Sequence, residues 1–163
     1  MKAYHMSPVV HPAGRILEPN GLPKVDEAIE DALEGTRPKG AFSRPHSVYA
    51  IQTPDFSLVG MDAGYIYRVE MPEEFERHDL RWIGELQKAH WKPKHDHHPV
   101  IARTWPDWTA SFVSECCGAY WSGHAFGDAP VWELLAPSAT VDAQLSAYIV
   151  QATETRGGWN GLK

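Results

Sequence analysis

At 163 residues and 18.3 kDa, with 43% hydrophobic residues and seven Trp, the chain matches one domain with a genuine core, expected over residues 1–163. A formal net charge of -6, with Lys and Arg scattered along the sequence, argues against the basic footprint of a nucleic-acid binder. No run approaches the ~18 apolar residues of a membrane span, and the opening Met1, Lys2, Ala3, Tyr4, His5 has no apolar signal core. The expectation is a soluble protein, without a membrane partner, of a reducing cytoplasm or delivered into a host cell without a classical signal peptide. Cys116 and Cys117 are adjacent and so poorly placed to staple distant segments.

In chain order, residues 2–6 read as an opening strand with His5 near its middle, ended by Ser7-Pro8. Pro23 followed by Asp26 and Glu27 marks a helix start. Val25, Ala28, Ile29, Ala32 and Leu33 then form one apolar face, and Gly35 closes the helix. The stretch 36–50 reads as loop, a short strand at Ala41 and Phe42, then a helical turn capped by Ser43 with Pro45 just inside it. Arg37, Lys39 and Arg44 meet that expected helix N-terminus. Such a combination suits an anion such as a pyrophosphate; the alternative is a solvated basic loop.

Residues 64–71 alternate Tyr65, Tyr67 and Val69 with Ile66, Arg68 and Glu70, which is a strand with an aromatic face. Asp79 can cap a helix from Leu80, in which Trp82, Ile83, Leu86 and His90 share a side. His95, Asp96, His97 and His98 are contiguous, and side chains on consecutive residues diverge, so they read as a flexible loop and no metal site is expected. Pro106, Asp107 and Trp108 open a further helix carrying Phe112, Cys116 and Ala119 on one stripe. The cysteines are then core residues toward its C-terminal half, where the dipole does not favour a thiolate. Residues 120–128 form an aromatic, glycine-bearing loop, and short strands are expected at 139–141 and 147–152 before a frayed tail at 155–161.

That loop delivers the chain into residues 130–137, where Pro130 and Pro137 bracket Val131, Trp132, Glu133, Leu134, Leu135 and Ala136. The run reads as a strand. Its one carboxylate, Glu133, is either solvated at an edge or held for a purpose, because an unpaired buried carboxylate is too costly to keep.

In order and residue type, several segments resemble the mono-ADP-ribosyltransferase superfamily, in the branch whose signature is a first-strand His, aromatic residues, then a Glu. They are Tyr4-His5, Arg37-Pro38, Phe42-Ser43-Arg44-Pro45, Tyr49-Ala50, the strand from Tyr65 to Glu70, Tyr120-Trp121-Ser122-Gly123 and Val131-Trp132-Glu133-Leu134-Leu135. The wording is similar to small bacterial members, including a secreted-effector type. The resemblance implies an α+β fold with a split, strongly twisted two-sheet β core, flanking helices and NAD in the cleft as substrate. It implies that His5 bonds the adenosine ribose, that Glu133 holds the nicotinamide-ribose 2'-hydroxyl, and that a protein target accepts the ADP-ribose. Arg37 or Arg44, with Ser43, is implied at the pyrophosphate, and Tyr49 with Tyr65 or Tyr67 at the nicotinamide. The arginine-modifying branch carries Arg where His5 stands and Glu or Gln where Val131 stands, so no acceptor residue is named. An NAD glycohydrolase, a transferase acting on nucleic acid or a small molecule, and a non-catalytic binding module are the alternatives.

Overall fold

The computed structural model describes residues 1–54 and 63–149. Along the chain run β1 (Lys2–Ser7), β2 (Ile16–Leu17), α1 (Glu27–Gly35), β3 (Val48–Ile51), β4 (Ala63–Glu70), β5 (Glu76–Asp79), α2 (Leu80–His95), α3 (Pro99–Thr104), α4 (Ala110–Trp121), β6 (Trp132–Ala136) and β7 (Ala139–Ile149). The protein is α+β. The seven strands among the described residues form one antiparallel sheet in the order β2-β7-β4-β1-β3-β6-β5.

The sheet has a seam. All six residues of β1 pair with β4, from Lys2 opposite Glu70 to Ser7 opposite Tyr65, whereas β1 and β3 share only the pair Tyr4 and Ile51. Where the resemblance implies a split two-sheet core, the described strands form a single sheet that narrows between β1 and β3. Side-chain alternation gives it two cores. Ala3, Tyr67, Val69, Val48, Leu134, Ala136 and Val141 pack together with Leu17. Leu135 instead meets the helices through Ile29, Leu33, Ile83, Leu86, Cys116, Cys117 and Tyr120.

Several expected boundaries move. Helix α1 starts at Glu27 rather than at Pro23, because Asp26 takes the cap and its carboxylate accepts the Ala28 amide at 3.1 Å. Ala41 and Phe42 form no strand, and Ser43 opens a turn rather than a helix. The turn closes through His46 N to Ser43 O and Ser47 N to Arg44 O, both 3.1 Å, and Val48 then starts β3. Pairing of Val48 to Ile51 with β6 outweighs the local helix signals. Helix α2 runs through Pro93 to His95, and Pro99 begins α3 soon after, so the expected loop of histidines is reduced to a short corner. Pro93 cannot donate to the Ala89 carbonyl, and the helix continues only two residues beyond it. Helix α4 starts at Ala110 under the cap of Thr109, leaving Pro106 to Trp108 outside it and taking Tyr120 and Trp121 into it. The strands expected at 139–141 and 147–152 are the single strand β7 as far as Ile149; residues 150–152 and the tail at 155–161 lie outside the described residues.

Candidate functional site

At the seam lies a cleft of about 1120 Å³, somewhat larger than the usual range of roughly 300–1,000 Å³ for small-molecule sites. Its walls are β1, the connection leading to α1, β3 and the first turns of α2, and Glu133 reaches it from β6. Antiparallel register explains how. Tyr4 lies opposite Ile51, Ile51 opposite Glu133, and Glu133 opposite His78, so one transverse row joins the first strand to the late carboxylate.

Glu133 is only 3% exposed and does not stand alone. Its Oε2 accepts from Arg44 Nη1 and from the Tyr120 hydroxyl, and the same Arg44 nitrogen donates to the Tyr120 oxygen. Arg44 Nε donates to Glu30 Oε1 at 2.7 Å, and Glu30 Oε2 accepts the Lys24 amide at 3.0 Å. The guanidinium is fully buried. Burial works against its charge, but Glu133, the neighbouring tyrosines and Glu30 outweigh it and hold the Arg44 pKa well above its ordinary value. For Tyr120 burial acts first and raises the pKa well above ordinary, so the phenol keeps its proton and donates to Glu133.

Helices α1 and α4 supply Glu30 and Tyr120, and the turn before β3 supplies Arg44. The Arg44 amide is tied to Glu34 Oε1 at 2.7 Å, which fixes that turn on α1. Asp79 holds the approach to β6, its carboxylate accepting the amides of Phe126 at 2.7 Å and Val131 at 3.0 Å. The His78 ring stacks on Tyr120 with centroids 4.5 Å apart, and His78 Nδ1 bonds the Tyr120 carbonyl at 2.9 Å.

His5 lines the cleft, and its Nδ1 lies 2.6 Å from the Tyr49 carbonyl. A carbonyl only accepts, so Nδ1 carries the proton and Nε2 is the free ring nitrogen of the neutral imidazole. Burial lowers the His5 pKa, with smaller contributions of the same sign from His11 and Lys24 opposing the bond to Tyr49. Tyr49 also lines the cleft, and Lys24 Nζ lies 5.5 Å from its ring centroid. The Tyr49 hydroxyl is buried with no hydrogen-bond partner among the described residues.

His5, Arg44, Tyr49 and Glu133 therefore share the cleft, and the other four sequence candidates, Arg37, Ser43, Tyr65 and Tyr67, do not line it. Arg37 is spent on Glu34 at 3.0 Å and on the Ala41 carbonyl at 2.6 Å. Ser43 uses its carbonyl to accept the Ser47 hydroxyl at 2.7 Å. Tyr67 is fully buried opposite His5, its hydroxyl accepting the His11 amide at 2.9 Å and donating to the Val9 carbonyl at 3.2 Å. With no helix following Ser43, the expected anion site at a helix N-terminus is absent, and Arg44 faces two carboxylates instead.

The sequence reading did not single out Glu30, Tyr120, Lys24, Ser7 or His11 as site residues. Glu30 carried a signal, since it lies between Ile29 and Leu33 on a helix face that buries both. Ser7 Oγ and His11 Nε2 are 2.9 Å apart beside the cleft, and nothing in their spacing marks them. Among the described residues, no three His, Cys, Asp or Glu side chains are grouped as a metal ion would need. No protein-family model, curated protein or solved structure matches the chain.

Proposed function

We propose that the protein is an NAD-dependent mono-ADP-ribosyltransferase on an ADP-ribosyltransferase-like α+β domain, transferring ADP-ribose to a protein target and releasing nicotinamide. The observation that carries the reading is the meeting of His5, Tyr49 and Glu133, from β1, β3 and β6, on one cleft of suitable size. In this reading the bond from ribose C1'' to the nicotinamide nitrogen breaks and nicotinamide leaves neutral with the bonding pair. The oxocarbenium-like centre that develops is stabilised by the fixed Glu133 carboxylate more than the ground state is. An acceptor nucleophile then bonds C1'' and gives up its proton. Arg15 and Lys24 line the cleft, so the diphosphate is assigned to them rather than to Arg37.

One observation favours a second reading, a non-catalytic binding module: Glu133 Oε2 is already bonded to Arg44 and Tyr120. Incubating the purified protein with labelled NAD and a cell lysate, beside Glu133→Gln, separates the two. Labelled protein bands that disappear in the variant support the transferase. Nicotinamide release without bands points to a glycohydrolase or a non-protein acceptor, and NAD binding without release selects the binding module.

A further inference from the structure

Glu133 offers two oxygens, and only Oε2 carries the bonds from Arg44 and Tyr120. The Tyr120 ring is held on several sides. His78 stacks at 4.5 Å, Trp121 meets it edge-on at 5.0 Å, and the Arg44 guanidinium carbon lies 5.2 Å from its centroid. Such a ring has little freedom, so its hydroxyl is a fixed donor. Arg44 is equally fixed, since Glu30 engages its Nε from the other side.

We infer that Tyr120 is a positioning residue for Glu133, clamping Oε2 so that Oε1 is the oxygen presented to substrate. The inference rests on the transferase reading. It turns the bonds that favour a binding module into the means by which the carboxylate is held in one orientation. A carboxylate free to rotate would meet the substrate hydroxyl in few of its orientations, and small misplacements of a reacting group cost about 100-fold in rate. The ionisable groups facing this carboxylate are Arg44 from the turn before β3, Tyr49 from β3, His78 from β5, Tyr120 from α4, and Glu30 of α1 through Arg44. Within this set, Tyr120 is a neutral donor, so deleting its hydroxyl changes orientation without changing the charge count.

The test is Tyr120→Phe, which keeps the ring and its stacking on His78. For nicotinamide release from NAD, kcat falls about 10- to 100-fold while KM for NAD stays within twofold. Site-specific 3-fluorotyrosine at position 120 keeps the hydroxyl donor and the wild-type kcat, and it serves if the Phe variant does not fold. Unchanged kcat, or a kcat that falls only in step with the folded fraction, overturns the inference. If the wild-type protein releases no nicotinamide, the transferase reading fails by itself, and the clamp is then read from the Glu133 carboxyl carbon by NMR. A pH titration of that carbon identical in wild type and Tyr120→Phe overturns the clamp.

Discussion

Replacing Arg44 by Met removes the one cation between two buried carboxylates, and its cost follows from the surroundings. Glu30 and Glu133 are each 3% exposed, and the Arg44 side chain that joins them is 1% exposed. Breaking a buried ion pair from one side costs about 3–5 kcal/mol, because the remaining charge keeps its desolvation penalty. Here two charges are stranded, which places the loss at the upper end of that range. Set against the roughly 5–15 kcal/mol that holds a domain together, this is a large fraction of the total. At about 2–4 °C per kcal/mol for a chain of this length, a loss near 5 kcal/mol lowers the melting temperature by about 10–20 °C. Urea unfolding of both proteins measures the difference.

A loss under about 1 kcal/mol, as for an exposed pair, refutes the reasoning.

Three further outcomes are expected. Burial depresses the His5 pKa, so the folded protein resists protonation that the unfolded chain accepts below about 6.5. Stability is then present above that value and lost as pH falls through the folded pKa, and a His5→Gln variant shows a flatter urea midpoint between pH 8 and 5.5; parallel profiles count against it. The Cys116 thiol is pushed up to about 12, first by burial and then by Cys117, so native protein at pH 8 reacts negligibly with a disulfide reagent while urea-unfolded protein titrates both thiols. Rapid labelling of the native state contradicts this. Tyr49→Phe deletes a buried hydroxyl that has no partner among the described residues, so it stabilises the free protein by about 1 kcal/mol in urea unfolding, and a destabilisation shows that the hydroxyl is bonded.

Much of the frame was legible because it rests on local chemistry. Lys2 to Met6, Tyr65 to Glu70 and Trp132 to Ala136 are β-prone runs between turn residues, and each is a strand. Asp79 is the cap of α2 that its position before Leu80 implies. What failed was decided by distant pairing. Pro45 and Ser43 look like a helix start, but Val48 to Ile51 have β6 beside them, and a sheet neighbour nearly 90 residues away leaves no local trace. The site divides in the same way. Glu133 stands out as the one carboxylate of its strand and His5 is named through the family resemblance, whereas Arg37 and Arg44 are near-identical signals in sequence with opposite fates. Arg37 caps its own neighbourhood through Glu34, while Arg44 is drawn inward by Glu30 and Glu133. Partners, not propensity, separate them, and those partners lie on other elements.

The same network decides how the role of Glu133 is best probed. Glu133→Ala would leave a cavity and strip the acceptor from both Arg44 and Tyr120, so lost activity could be lost fold. Glu133→Gln keeps the volume and an amide oxygen for those donors, and Arg44 retains Glu30 at 2.7 Å. Its structural cost is the charge-assisted part of one hydrogen-bonded pair, about 1–3 kcal/mol. A domain starting near 10 kcal/mol then keeps about 7 or more, which at 1.4 kcal/mol per decade leaves fewer than about one molecule in ten thousand unfolded. In the transferase reading, loss of a fixed charge beside the developing oxocarbenium costs on the order of 3 kcal/mol of barrier, or about 100-fold in rate. A folded Glu133→Gln protein that releases nicotinamide at a hundredth of the wild-type rate has thus lost chemistry and not structure. The transferase reading fails if that protein, with its urea midpoint measured, works within threefold of wild type.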